Sequence, residues 1–178
     1  MSETAAHLVD SVLPHKPIRQ WVMTFPVPLR PLLAIRPKIM ARCLEITTST
    51  VNAYYRQKAG VKKTQAKTGA VTLIQRFGGA INLNVHFHQL FIDGSYGLDD
   101  NKAPTEFHAV APPTIQELDE VLKKIIQKVT RYLERQKIII RDEEDHLQIH
   151  LSDEDAFTQL QASSSVYRFM TGPRFFEE

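Results

Sequence analysis

A chain of 178 residues with 43% apolar and 24% charged residues has the length and composition of one domain with a sizeable core. Its lone cysteine, Cys43, excludes a disulfide framework and a cysteine-based zinc ribbon, and no apolar run reaches the roughly eighteen residues that crossing a bilayer requires. The net charge of +2 hides an uneven distribution: residues 1–92 hold 12 Lys/Arg against 3 Asp/Glu, residues 93–178 hold 10 against 17.

A basic half beside an acidic half favours a polyanion partner, although the same charges can also fold into an evenly mixed surface. Residues 1–17 read as a leader, ordered only by docking, without the charged-then-apolar pattern of a signal peptide, so a cytoplasmic protein is expected. Ile18 to Phe25 alternates as a strand, with Trp21, Met23 and Phe25 on one face and Gln20, Val22 and Thr24 on the other. Pro26, Pro28 and Pro31 prevent that strand from continuing. Pro37 opens a helix to about Lys58, with Ile39, Cys43, Ile46 and Thr50 at helical spacing; Thr47 to Val51 is its weak spot and Gly60 its stop.

Val61 to Gly69 is a basic loop. Ala70 to Phe77 is a strand that turns at Gly78-Gly79 into a second, Ile81 to Phe91, forming a hairpin. Asp93-Gly94 is either a bulge or a turn, with a bulge favoured and the strand continuing through Tyr96 and Leu98. Residues 99–102 turn the chain into a strand from Thr105 to Val110. Thr114 caps the strongest helix, completing a capping box with Glu117 ahead of the stripe Leu118, Val121, Leu122, Ile125, Val129, Tyr132 and Leu133. After Gln136 come a short apolar strand or tether, an acidic turn from Arg141 to Asp145, and a strand from Leu147 to Leu151. This order implies an α+β domain, an antiparallel β-sheet with helices packed on it.

Chemistry concentrates in the hairpin. Side chains two apart in a strand share a face, so Asn82, Asn84, His86 and His88 point one way and Ile81, Leu83, Val85, Phe87 and Phe91 the other. Two parallel imidazoles on rigid backbone can supply two metal ligands; the plain alternative is a half-exposed sheet face that holds nothing. If the hairpin closes around Ala80-Ile81, Gln75 sits opposite His86 and its amide oxygen is a candidate third ligand. Such a set, with positions left open, suits a divalent cation that must also touch phosphate. His108, on the next strand, is a more distant candidate; His15, His146 and His150 read as loop or surface residues. No P-loop and no Gly-x-Ser-x-Gly elbow is present. Cys43 reads as core. Candidates for phosphate contact are Lys62, Lys63 and Lys67 on the basic loop and Arg56 and Lys58 at the helix end. Tyr54 and Tyr55 can stack on bases, though half-buried packing is the commoner role there.

Three blocks carry a resemblance: residues 12–26 (Val12-Leu13-Pro14-His15-Lys16-Pro17 onward through Trp21 to Pro26), Thr68 to Gly78, and Leu83 to His88 running on to Asp93-Gly94. With Phe107-His108 and the Pro-Pro-Thr helix start, they resemble the catalytic region of bacterial rolling-circle transposases, the HUH, tyrosine-type enzymes of insertion sequences, over roughly residues 5–140. The resemblance implies an HUH-nuclease-like fold and maps the His-hydrophobic-His motif onto His86, Phe87 and His88. It implies a Mg or Mn cation on that pair that polarises the scissile phosphate of single-stranded DNA, and a tyrosine that attacks phosphorus, forms a 5′-phosphotyrosine and frees a 3′-hydroxyl. A third ligand in related enzymes agrees with Gln75. Family members carry a zinc-finger-like module before this region and the tyrosine motif well after it, and nothing around Tyr132 or Tyr167 matches that motif. The resemblance therefore implies a truncated copy lacking its nucleophile.

The expectation is thus a leader (1–17), a partial HUH-like catalytic domain (18–140) and a C-terminal appendix (141–178). Its function is metal-dependent nicking and strand transfer of single-stranded DNA in transposition. The competing readings are a non-catalytic DNA-binding remnant or partner of a full-length transposase, and a metal-dependent phosphohydrolase. Expected partners are single-stranded DNA and, on the protein side, a second copy or a full-length transposase, with no membrane.

Overall fold

A computed structural model describes residues 6–78, 83–141 and 147–149. After a π-helical turn at Leu8–Val12 come β1 (Ile18–Thr24), α1 (Leu29–Ile35) and α2 (Pro37–Lys58). A 3-10 turn at Lys63–Gln65 leads into β2 (Ala66–Lys67), β3 (Ala70–Phe77), β4 (Leu83–Ile92), β5 (Gly94–Leu98) and β6 (Pro104–Ala109); α3 (Ile115–Arg135), β7 (Ile139–Arg141) and β8 (Leu147–Ile149) complete the order. All strand pairs are antiparallel, and helices pack beside them, so the class is α+β as expected. Asn82, His146, His150, Tyr167, the Gly79–Ile81 turn and the acidic turn lie outside the described residues.

The strands divide into two three-stranded sheets, ordered β1-β4-β3 and β2-β5-β6, and a β7-β8 ribbon, where one sheet was expected. The cause is Asp93, read from sequence as a bulge. Its N–H donates to Pro17 O at 2.7 Å, its carbonyl accepts from Val110 N at 3.0 Å, and the chain leaves the first sheet for the second. Its carboxylate is held by Arg19 through both oxygens and by Tyr55 Oη at 3.0 Å; Trp21 Nε1 donates in turn to Tyr55 Oη at 3.0 Å. Gly94 is required next, because a Cβ there would stand 2.3 Å from the His108 carbonyl and 2.6 Å from the Phe107 ring. The basic loop likewise contributes a short strand, β2, to the second sheet.

The proline-rich stretch forms α1 rather than a simple break. Pro28 takes the N-cap position with helical φ, and Pro31 stands in the first turn, where a backbone N–H has no intrahelical acceptor to lose. Arg36 leaves the helical region at φ −113°, ψ 79°, as the residue before Pro37 must, and Pro37 starts α2. The helix runs unbroken through the hydroxyl-rich middle of α2. Thr47 and Thr50 donate to Cys43 O at 2.8 Å and Ile46 O at 2.7 Å, one turn back, and so enter the core satisfied. Gly60, at φ +68°, ends that helix.

The core lies between the inner face of the first sheet and the helices. Val85, Phe87 and Phe91 of β4 are fully buried against Leu32, Leu33, Cys43, Val51 and Tyr55, with Phe25 edge-on to Phe87 at 5.2 Å. Each such side chain contributes roughly 1.5–3 kcal/mol by burial. Helix α3 packs on α2 through Val121, Ile125, Val129 and Leu133; Leu118 and Leu122, expected in the same stripe, stay exposed. The capping box forms as expected, with Glu117 N donating to Thr114 Oγ1 and Thr114 N to Glu117 Oε2. With the helices on one side, the other face of the first sheet is left open.

Candidate metal centre on the open sheet face

Pairing fixes which residues share the open face. On central β4, His86 lies between Thr24 of β1 and Gln75 of β3, and His88 between Val22 and Leu73. The expected register, Gln75 opposite His86, is present, and the alternation that sends Phe87 into the core sends both imidazoles outward. Their ring centroids are 4.8 Å apart at 65°. His86 is 8% exposed and His88 half-buried, while Val22 and Leu73 stand about half out of the surface on either side of His88. The rings thus occupy a partly dry strip.

Hydrogen bonding decides what each ring offers. His86 Nδ1 is 2.6 Å from Asn84 O. A carbonyl only accepts, so Nδ1 carries the proton and Nε2 is left with a lone pair, the state in which a neutral imidazole binds a cation. His88 Nδ1 is 2.7 Å from Gln20 Nε2. As placed, the amide nitrogen donates to Nδ1, which puts the proton of the neutral ring on Nε2; only with the amide turned over, Oε1 toward Nδ1, does this ring carry its proton inside and free Nε2. With the Gln20 amide so turned, the donor set fits a divalent cation of the kind that accepts imidazole and oxygen ligands. Gln75 donates Nε2 to Phe77 O at 2.9 Å, across the register break between those residues, and its oxygen takes no part in that bond.

Other expected participants lie elsewhere. His108 is on β6 opposite Ser95, next to Gly97 in the second sheet. Among the described residues no group of three or more His, Cys, Asp or Glu side chains is placed to hold a metal ion. Lys62 and Lys67 are exposed and Arg56 is half-buried; the side chain of Lys63 lies outside the description. Lys58 differs from expectation: its ammonium donates to Glu117 Oε2 at 2.6 Å, Tyr54 Oη at 3.0 Å and Pro112 O at 3.2 Å. All three of its protons are thus spent clasping α2 to the start of α3. Tyr54 and Tyr55 pack edge-on to Trp21 in the core, and burial pushes both phenols up. Cys43 is buried, and desolvation pushes its thiol up to about 12, as befits a core residue.

Sequence reading missed Gln20. Its place on the outer face of β1 was legible, but which β4 residue it meets depends on a pairing 68 residues apart. It also missed a cavity of about 390 Å³ at the far end of the open face, where Leu13 and Pro14 close over Val71, Leu90, Ile92 and Tyr96.

The family model described as "Putative transposase" matches residues 69–170. The match takes in β3, both histidines, the second sheet except β2, and α3. It begins after the 12–26 block and continues past residue 140, where the resemblance was expected to fade. No curated protein matches the chain.

Proposed function

The chain belongs to this transposase family, and from its place in DNA transposition we propose a specific chemistry: metal-dependent nicking and strand transfer of single-stranded DNA, with Mg or Mn held by His86, His88 and Gln75. The observation that carries the reading is the pair of imidazoles on the open face of one strand, ring centroids 4.8 Å apart, with His86 Nδ1 2.6 Å from the Asn84 carbonyl, a contact that favours the neutral tautomer with a lone pair on Nε2. A cation bound there supplies Lewis-acid polarisation of the scissile phosphate.

The chain's own residues do the rest. Asn84 and Gln20 orient the two rings through their inner nitrogens. Val22 and Leu73 flank the pair with aliphatic surface that thins the water around a bound phosphate. Lys62, Lys63, Lys67 and Arg56 are proposed to draw in the DNA backbone; Lys58, spent on Glu117, is left out of that set. The attacking hydroxyl is assigned to none of Tyr54, Tyr55 and Tyr132, since all three stand on α2 or α3, behind the sheet.

The test is calorimetric titration with Mn²⁺. Wild-type protein is expected to bind, and His86→Ala and His88→Ala each to lose tenfold or more in affinity while keeping the fold. Unchanged Mn²⁺ affinity in both variants would falsify the ligand assignment. A nicking assay on single-stranded oligonucleotides with Mn²⁺ then separates catalysis from binding alone: scission with a covalent protein–DNA adduct would place a nucleophile within this chain, and binding without scission would fit a copy that holds the cation but lacks the attacking tyrosine.

A further inference from the structure

Helices α2 and α3 run antiparallel, as the contacts Lys58 to Glu117 and Thr50 to Lys128 require. Between the first half of α2 and the last half of α3 lies an open groove of about 300 Å³. Its walls carry four cations: Arg42 from α2, and Lys128, Arg131 and Arg135 from α3. Glu45 is the only acid on the lining, and Arg42 Nη1 already holds its Oε2 at 2.6 Å. Lys128 Nζ donates to the Thr50 hydroxyl at 2.9 Å, a neutral acceptor, and among the described residues it meets no carboxylate. Arg131 and Arg135 are exposed, and among the described residues neither guanidinium meets a carboxylate.

Among the described residues, three positive charges without a carboxylate partner therefore converge on one groove, supplied mainly by the half of the sequence whose net charge is negative. Like charges brought together repel, and an anion laid between them relieves the repulsion. Their spacing suits a linear anion better than a single ion: Lys128, Arg131 and Arg135 succeed one another up one helix face, the last two about 6 Å apart along the axis. Guanidinium forks match phosphate oxygens in pairs.

We propose that this groove is a second nucleic-acid contact, gripping the phosphodiester backbone of DNA without reading its sequence, on the helical side of the fold away from the histidine pair. The proposal rests on the DNA substrate proposed above but not on the cation site.

The full chain is titrated into a fluorescein-labelled single-stranded oligonucleotide in EDTA, over a salt series, and read by anisotropy. The double variant Arg131→Glu/Arg135→Glu is expected to bind at least tenfold more weakly, and Arg131→Gln/Arg135→Gln to fall in between. The plot of log affinity against log salt should flatten by about 0.7 for each phosphate that is no longer held. Both side chains are exposed, so thermal melts should match wild type, and Mn²⁺ affinity at the histidines should be unaltered. In a His86→Ala/His88→Ala background the same losses should persist, which separates this groove from the cation site. Wild-type affinity and salt slope in both double variants would overturn the proposal. So would displacement of the oligonucleotide by polyglutamate as effective as by unlabelled DNA, which would make the groove a general acidic-chain site. Saturation of the groove by inorganic phosphate, with no effect of the variants on DNA, would make it a small-anion site and equally end the proposal.

Discussion

A ring nitrogen is useful to a cation only when its proton is elsewhere, and here backbone and side chain divide that task. Asn84 O fixes the His86 proton absolutely, because a carbonyl cannot donate; Gln20 fixes the His88 proton only through the turn of its amide. With the Gln20 amide turned to present Oε1, replacing Gln20 with Leu should shift metal-free His88 toward the Nε2–H tautomer, visible in long-range ¹⁵N–¹H correlation spectra, and weaken Mn²⁺ binding about tenfold. Gln20→Glu keeps an acceptor at that point and should restore both. A His88 spectrum identical in wild type and Gln20→Leu would remove Gln20 from the site and leave the ligand assignment to its own test. One residue along, Phe87 is fully buried beside Phe25. Phe87→Asp places an unpaired carboxylate in the core and should abolish cooperative folding. A wild-type-like melt would mean that β4 faces the other way.

Helix ends show how far an element depends on residues distant in sequence. Glu117 closes the capping box on Thr114 and also receives Lys58 from α2. Lys58, and after it the Thr114 backbone N–H, hold its carboxyl below the usual glutamate value of 4.5. A carboxyl lowered on folding stabilises the fold fully above its unfolded value and loses that contribution as pH falls through its folded one. Thermal melts taken into acid should therefore show a steeper decline in wild type than in Glu117→Gln; superimposable pH profiles would contradict the clasp. Thr114→Ala removes the cap's side-chain acceptor and should cost about 1 kcal/mol, read by denaturant midpoint.

The same elements mark what the sequence could disclose. The bounds of α2 and β3 and the register of Gln75 on His86 were readable, because alternation, a helix-opening proline and a glycine turn are all local signals. Helix α1 was hidden because three prolines suggest a break unless it is known that Pro26 precedes the helix, Pro28 caps it and only Pro31 stands in its first turn. The second sheet was hidden because a bulge and a crossing between sheets start with the same Asp-Gly. Lys58 looked free because its carboxylate lies 59 residues on, and the basic groove stayed invisible because its cations come from two helices that only packing brings together.

For the whole molecule, Asp93 is the joint between the two sheets, and its carboxylate accepts three hydrogen bonds, two from Arg19 and one from Tyr55. Asp93→Ala leaves Tyr55 Oη and the Arg19 guanidinium without their acceptor. Because Arg19 is 31% exposed, the loss should be near 3 kcal/mol rather than more. Hydrogen exchange should speed up in β5 and β6 ahead of the core of β4; uniform protection across both sheets would show that the joint lies elsewhere.

That joint has a mechanical side. Lys67 sits on β2, β2 is laced to β5, and β5 is continuous through Asp93 with the strand bearing His88, only five residues back. A polymer tugging on the lysine loop would load a short, stiff linkage whose far end is the imidazole pair, so tension along a captured strand would be felt at the rings themselves.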